Sequence, residues 1–258
     1  MAALNRAAPQ RLTACLLRQQ AILSAKPGSL GAAGGTFSRG FSLTEMAVVL
    51  VIVAILIAGL VIPLATQQDM RARQDTDNML TNLREALLGY AASHAAGDGR
   101  PYLPCPDTDD DGRENRAGGV CTGGIQEGRI PWADLGLGRN DAWNNRYRYR
   151  VTAAFSSSAN GFTLASAGDL NVCADAACAA SVAASVPVVV LSHGANGAGA
   201  FNMSGGTNPA PAGADELENT DGDATFVGKT PDTAFDDLVT WIPPSVLINR
   251  MITTGKLP

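Results

Sequence analysis

The sequence predicts an α+β protein: a long N-terminal α-helix, transmembrane in its first half, packed on a small antiparallel β-sheet domain with long loops. Three observations predict it. Residues 46–64 form an uncharged apolar run, close to the ~20 residues a helix needs to cross a bilayer core of about 30 Å. Leu80, Leu83, Leu87 and Tyr90 then recur at spacings of three, four and three, the stripe of an amphipathic helix. Beyond Gly97 the chain turns to Gly, Ala, Ser, Asp and Asn, broken by short alternating segments such as Tyr147, Tyr149 and Val151 between Arg146, Arg148 and Arg150.

The chain divides at 40, 65 and 97. Residues 1–40 carry Arg6, Arg11, Arg18, Lys26 and Arg39 and no acid. The rest keeps 14 basic against 24 acidic residues. A basic segment before an apolar run orients the run with its N-terminus in the cytoplasm and residues 98–258 on the far side. A domain that acidic is a poor general nucleic-acid binder. Residues 41–65 form the membrane segment, and residues 66–97 continue the helix as an amphipathic stretch until Gly97-Asp98-Gly99 and Pro101 stop it. One helix of about 50 residues would be some 75 Å long. The apolar run is too long for a secretory signal peptide and lacks its small-residue cleavage site.

The start of that run, "SRGFSLTEMAVVLVIVAILIAGLVIP" from residue 38, places Gly40 and Phe41 just ahead of Glu45 and the apolar residues. This resembles the class III signal of type IV pilins and type II secretion pseudopilins. The resemblance implies cleavage of residues 1–40 as a leader by a prepilin peptidase, between Gly40 and Phe41, and N-methylation of Phe41. It implies that Glu45 pairs with the N-terminal amine of a neighbouring pilin or pseudopilin subunit during assembly, because a carboxylate near an apolar layer is costly unless paired. It places the chain in the inner membrane with its domain in the periplasm, and then in a periplasmic or cell-surface fibre. The leader is longer than is usual in the family, and Pro63, expected to kink the helix, falls one residue later than the family's proline. The competing reading is an unprocessed membrane-anchored periplasmic binding module, calcium-dependent or not, in which Glu45 is a flanking interface charge.

Cys15 lies in the basic segment, whereas Cys105, Cys121, Cys173 and Cys178 follow the apolar run. An even number in an exported domain predicts two disulfides. Of the three pairings, Cys105–Cys121 with Cys173–Cys178 closes the shortest loops. Between the first pair, Asp107, Asp109, Asp111 and Gly112 match the opening of a calcium loop. Its twelfth position is Gly118, so the stretch is no EF-hand. It is either a calcium site completed by Glu114 or a backbone carbonyl, or a solvated acidic turn pinned by the disulfide. Calcium is the one cofactor these residues leave open.

Trp132 and Leu135 are expected against the helix stripe. Asp141-Ala142-Trp143-Asn144-Asn145-Arg146-Tyr147 resembles the D-x-W-G-N-x-Y segment of pseudopilins, where the chain enters the sheet. In the strand that follows, the tyrosines should face the core and the arginines water. A basic–aromatic ladder also suits single-stranded DNA, but alternation explains it more simply. Further strands are expected around Phe162 and Leu164, over 186–191 and over 235–242, with a cysteine-bearing loop at 168–180, a long flexible loop at 194–223 and a short helix at 245–251. No catalytic set is evident. His94 and His193 are the only histidines, and Cys173 and Cys178 lack zinc spacing. "GDATFVGKT" has five residues between its glycines where a phosphate loop needs four. The reading is a structural subunit, not an enzyme.

Overall fold

The computed structural model describes residues 40–258, the side chains of residues 60–65 excepted. The chain forms two compact units, one ending at Val53 and one spanning Ala54–Pro258. Helix α1 (Leu43–Ser93) contributes to both. Of the expected leader only Gly40 falls among the described residues, and α1 continues through Pro63, the residue expected to kink it. No helix of the described residues is long and apolar enough to cross a membrane; the apolar run runs on into the undescribed side chains of 60–65.

The helical stripe is the spine of the second unit. Leu80, Leu83, Leu87, Leu88 and Ala91 are buried in one core cluster, as side chains three and four apart share a helix face. The helix ends at Ser93, short of the expected Gly97. There Ser93 Oγ donates to the Tyr90 carbonyl and the His94 ring approaches that same oxygen, offering the backbone a local alternative to another turn.

After α1 come a hairpin of β1 (Arg116–Ala117) and β2 (Val120–Cys121), strand β3 (Glu127–Arg129), the single-turn helix α2 (Trp132–Leu135) and strand β4 (Arg148–Val151). Then follow β5 (Leu170–Cys173), β6 (Ser181–Val186), β7 (Val188–Ser192), the short helix α3 (Ala214–Glu218), β8 (Thr225–Val227), β9 (Leu238–Ile242) and helix α4 (Pro244–Thr253). The main sheet is antiparallel in the order β3-β4-β7-β9. Tyr149, Val151, Val188, Val190 and Ile242 share the core with α1, and α4 joins through Leu247 and Met251, four residues apart. Trp132 and Leu135 pack against this cluster as expected.

The second sheet corrects the expectation of one small antiparallel sheet. Its order is β6-β5-β8, with β5 antiparallel to β6 but parallel to β8. Leu170, Val172 and Phe226 pack on Val189 and Leu191, on the other face of β7. β7 is therefore buried on both faces, which is why it reads as a continuous apolar run and not an alternating one. β5 occupies part of the stretch expected to be a cysteine-bearing loop. The strand expected at Phe162 and Leu164 is absent: Phe162 is buried in the main core beside the Phe155 ring, with its N–H on the Pro101 carbonyl, and residues 163–166 form a turn.

This second layer overturns the expected exposure of the arginines. Arg146 and Arg148 are only 2% and 6% exposed, and Arg129 is buried beside them. Arg146 binds Asp110 through Nε at 2.7 Å and Nη2 at 2.9 Å, and also bonds Asn140. Arg148 and Arg150 share Glu127. Their remaining donors hold the 194–223 segment: Arg148 on the Gly199 carbonyl, Arg129 on that of Gly205 and Arg150 on that of Gly222. The Phe201 ring lies under Arg129 and Arg148, at 4.5 and 4.8 Å. The loop expected to be flexible is thus built onto the sheet by the side chains expected to face water.

The segment resembling D-x-W-G-N-x-Y folds as a turn closed by the Asp141 carboxylate, which accepts the N–H groups of Trp143 and Asn145 and the Ser192 hydroxyl. Asn144, where the pattern has Gly, adopts φ +67°, a conformation that Asn tolerates better than most residues.

Candidate functional site

The first candidate is the start of α1. Ser42 Oγ accepts the Glu45 N–H at 3.1 Å, and Glu45 Oε2 accepts the Ser42 N–H at 3.4 Å. This is a capping box, S-x-x-E, which satisfies two orphan donors of the first turn reciprocally. Glu45 therefore also has a structural role in its own chain, which its place beside the apolar run does not disclose. Phe41, two residues before the helix, is 76% exposed. Val48, Val49, Leu50, Val51, Ile52, Ile55, Leu56 and Ile57 are exposed as well. They lie on every side of the helix.

The second is the acidic loop. Both expected disulfides are present, Cys105–Cys121 and Cys173–Cys178, with Cα atoms 5.3 and 5.0 Å apart. Closing a loop of the length between Cys105 and Cys121 contributes about 3 kcal/mol. Asp107, Asp109 and Asp111 converge, one carboxylate oxygen from each lying within 4.8 Å of the others. Asp107 is fully buried, and its oxygens accept the N–H groups of Asp109, Asp110 and Gly112. Gly112 has φ +85°, and a Cβ there would run into the Trp132 ring, so only glycine fits.

Glu114 does not join that cluster. It accepts from the Cys105 N–H at 2.8 Å, from Tyr90 Oη at 3.1 Å and from Arg116 Nη2 at 2.7 Å. Burial pushes its carboxyl up, but Arg116 and the Cys105 N–H outweigh burial and hold it below its ordinary value. A lowered folded-state value means that ionised Glu114 stabilises the fold above the unfolded-state value of 4.5 and that this is lost as pH falls through the folded-state value. Glu114→Gln should therefore lower the unfolding free energy from urea titration near neutral pH by about 1–3 kcal/mol, and flatten its decline below about pH 4.5. A decline as steep as in the wild type would show that Glu114 is not the group responsible.

Sequence reasoning missed a third constellation. Glu216, Asp236 and Asp237 also bring one carboxylate oxygen each within 4.8 Å of one another. Twenty residues separate the first from the second, so no local spacing announces them.

Residues 36–61 match the prokaryotic N-terminal methylation motif, the prepilin-type cleavage and methylation signal of type IV pilins and pseudopilins. The match covers Gly40, Phe41 and Glu45 and most of the exposed apolar turns. No curated protein and no solved structure matches the chain.

Proposed function

We propose that the chain is a structural subunit of a type IV pilus-like or type II secretion pseudopilus fibre. The observation that carries this reading is the coincidence, within residues 36–61, of the methylation motif with a capped helix whose apolar residues are exposed on every side. The precursor would lie in the inner membrane, with residues 41–65 as its span and the domain in the periplasm. A prepilin peptidase cuts after Gly40, and the freed Phe41 amine is methylated. Other subunits then cover the apolar turns. Cleavage creates the cation that Glu45 needs: Phe41 N is an amide before the cut and an amine after it. The Glu45 carboxylate then passes from its own first turn to the amine of a neighbour. The acidic domain selects partners and has no catalytic part in this account.

Assembly requires the peptidase. In cells that make the cognate fibre, the chain should enter the sheared or detergent-resistant fibre fraction only where the peptidase is present, and should stay in the membrane fraction otherwise. Equal distribution in both strains would contradict the reading.

A further inference from the structure

We propose that Cys178 is a site of thiol–disulfide exchange, where a low-molecular-weight thiol opens the Cys173–Cys178 bond while Cys105–Cys121 stays closed. The two bridges share their covalent chemistry and differ in access. Cys105, Cys121 and Cys173 are buried, none more than 1% exposed. Cys178 lies at the surface, between exposed Ala177 and Ala179. A thiolate must reach a sulfur to attack it, so access decides which bond opens.

The surroundings of each bridge sharpen the difference. Ser156 covers Cys105–Cys121, with its carbonyl 3.9 Å from Cys105 Sγ and its hydroxyl 3.4 Å from Cys121 Sγ. The Gln126 side chain reaches Cys121 Sγ at 3.7 Å, and Glu114 holds the Cys105 N–H. Attack there requires the fold to open locally first. In the second bridge only one end is fixed by a sheet. Cys173 ends β5, paired with Ser181 of β6 on one side and Val227 of β8 on the other. Cys178 belongs to a loop. The Ala176 N–H rests on the Asp215 carboxylate of α3 at 3.0 Å. The N–H groups of Cys178 and Ala179 turn back onto Asp175, and Ala174 N–H meets the Ala180 carbonyl. Cys178 also has φ +48°, a left-handed backbone that a residue with a Cβ adopts at a cost. Opening the bond lets that residue relax.

The exchange runs in two steps. A thiolate attacks Cys178 Sγ and the S–S bond breaks. Its electron pair leaves on Cys173, which takes a proton from water. A second thiol then displaces the first from Cys178 and departs with it as a disulfide. Two electrons pass from the two thiols to the two cysteines. The effect on the fold is local. The ladders of β5 with β6 and β8 are backbone bonds and persist, and Asp215 keeps its ion pair with Lys229. What is released is the closure of residues 174–180 over α3.

The test treats the folded, detergent-extracted full-length protein with dithiothreitol, blocks the freed thiols with iodoacetamide, and assigns them by peptide mass spectrometry. Cys173 and Cys178 should be freed at least about tenfold faster than Cys105 and Cys121. In urea the two bridges should open at similar rates, because the fold no longer screens one of them. Hydrogen exchange of the selectively reduced protein should quicken over residues 174–180 and not in β7 or β9. A pair of single variants locates the reactive sulfur. Cys173→Ser should take up glutathione from oxidised glutathione at Cys178, whereas Cys178→Ser should leave Cys173 unmodified. Equal rates for the two bridges in the folded protein, faster opening of Cys105–Cys121, or glutathione on Cys173 in place of Cys178 would each overturn the proposal. Should either variant fail to fold, the two rates in the wild type decide.

Discussion

Glu45→Gln should be cleaved and inserted normally yet be lost from fibres, as completely as Glu45→Ala. The pair separates the two roles of this side chain. Glutamine serves as well as glutamate at the third helical position of a capping box, so Glu45→Gln keeps the bond to the Ser42 N–H and discards only the charge. The cap itself is exposed and long at 3.4 Å, and such caps contribute about 1 kcal/mol. Removing one partner of a buried ion pair costs about 3–5 kcal/mol, a hundredfold or more at each subunit contact. If charge pairing with a neighbour's amine drives assembly, the second magnitude governs and both variants fail. If Glu45 only starts the helix, Glu45→Gln assembles as the wild type does. Immunoblots of sheared fibres from cells lacking the wild-type chain decide between them.

The largest loss of stability is expected from Leu87→Ala. Leu87 is fully buried where α1 meets the main sheet and α4. Truncation removes its burial and leaves a cavity, since the sheet on one side and α4 on the other cannot both close in. Such changes cost about 2–5 kcal/mol, and full burial on a rigid helix puts this site in the upper half of that range. A domain of this size should melt about 7–20 °C lower. Glu85→Ala is the contrasting case. It breaks the ion pair with Arg250 at 2.8 Å, but both side chains are about half exposed, and such pairs contribute at most about 1 kcal/mol. Thermal melts of the two variants should therefore differ severalfold in their shifts. Equal shifts would mean that the stripe of α1 is not the anchor of the core.

What the sequence disclosed follows from distance along the chain. The helical stripe, the apolar run of β7, the closing strand and helix, and both cysteine pairs, sixteen and five residues apart, rest on neighbours close along the chain, so periodicity and loop length revealed them. The fate of Arg146 and Arg148 was hidden because Tyr147-Arg148-Tyr149-Arg150 alternates in the same way whether water or a second layer covers the arginine face. That layer is made by pairing β5 with β8, some fifty residues on, and by a glycine-rich segment whose carbonyls and Phe201 the arginines hold. No periodicity encodes such contacts. The prepilin-type signal was legible because its parts are contiguous, whereas Glu216, Asp236 and Asp237 meet only through folding. Glu114 shows the converse. It is close in sequence to three aspartates, yet Arg116 and Tyr90 take it elsewhere.

Intact-mass and N-terminal peptide mass spectrometry of the membrane-extracted protein, expressed with and without the host's prepilin peptidase, tests the central claim most directly. The account predicts a chain that begins at N-methylated Phe41 only where the peptidase is present, and a precursor that retains Gly40 where it is absent. An N-terminus upstream of Gly40 in both strains would contradict it and leave Glu45 as a helix cap beside an uncut anchor.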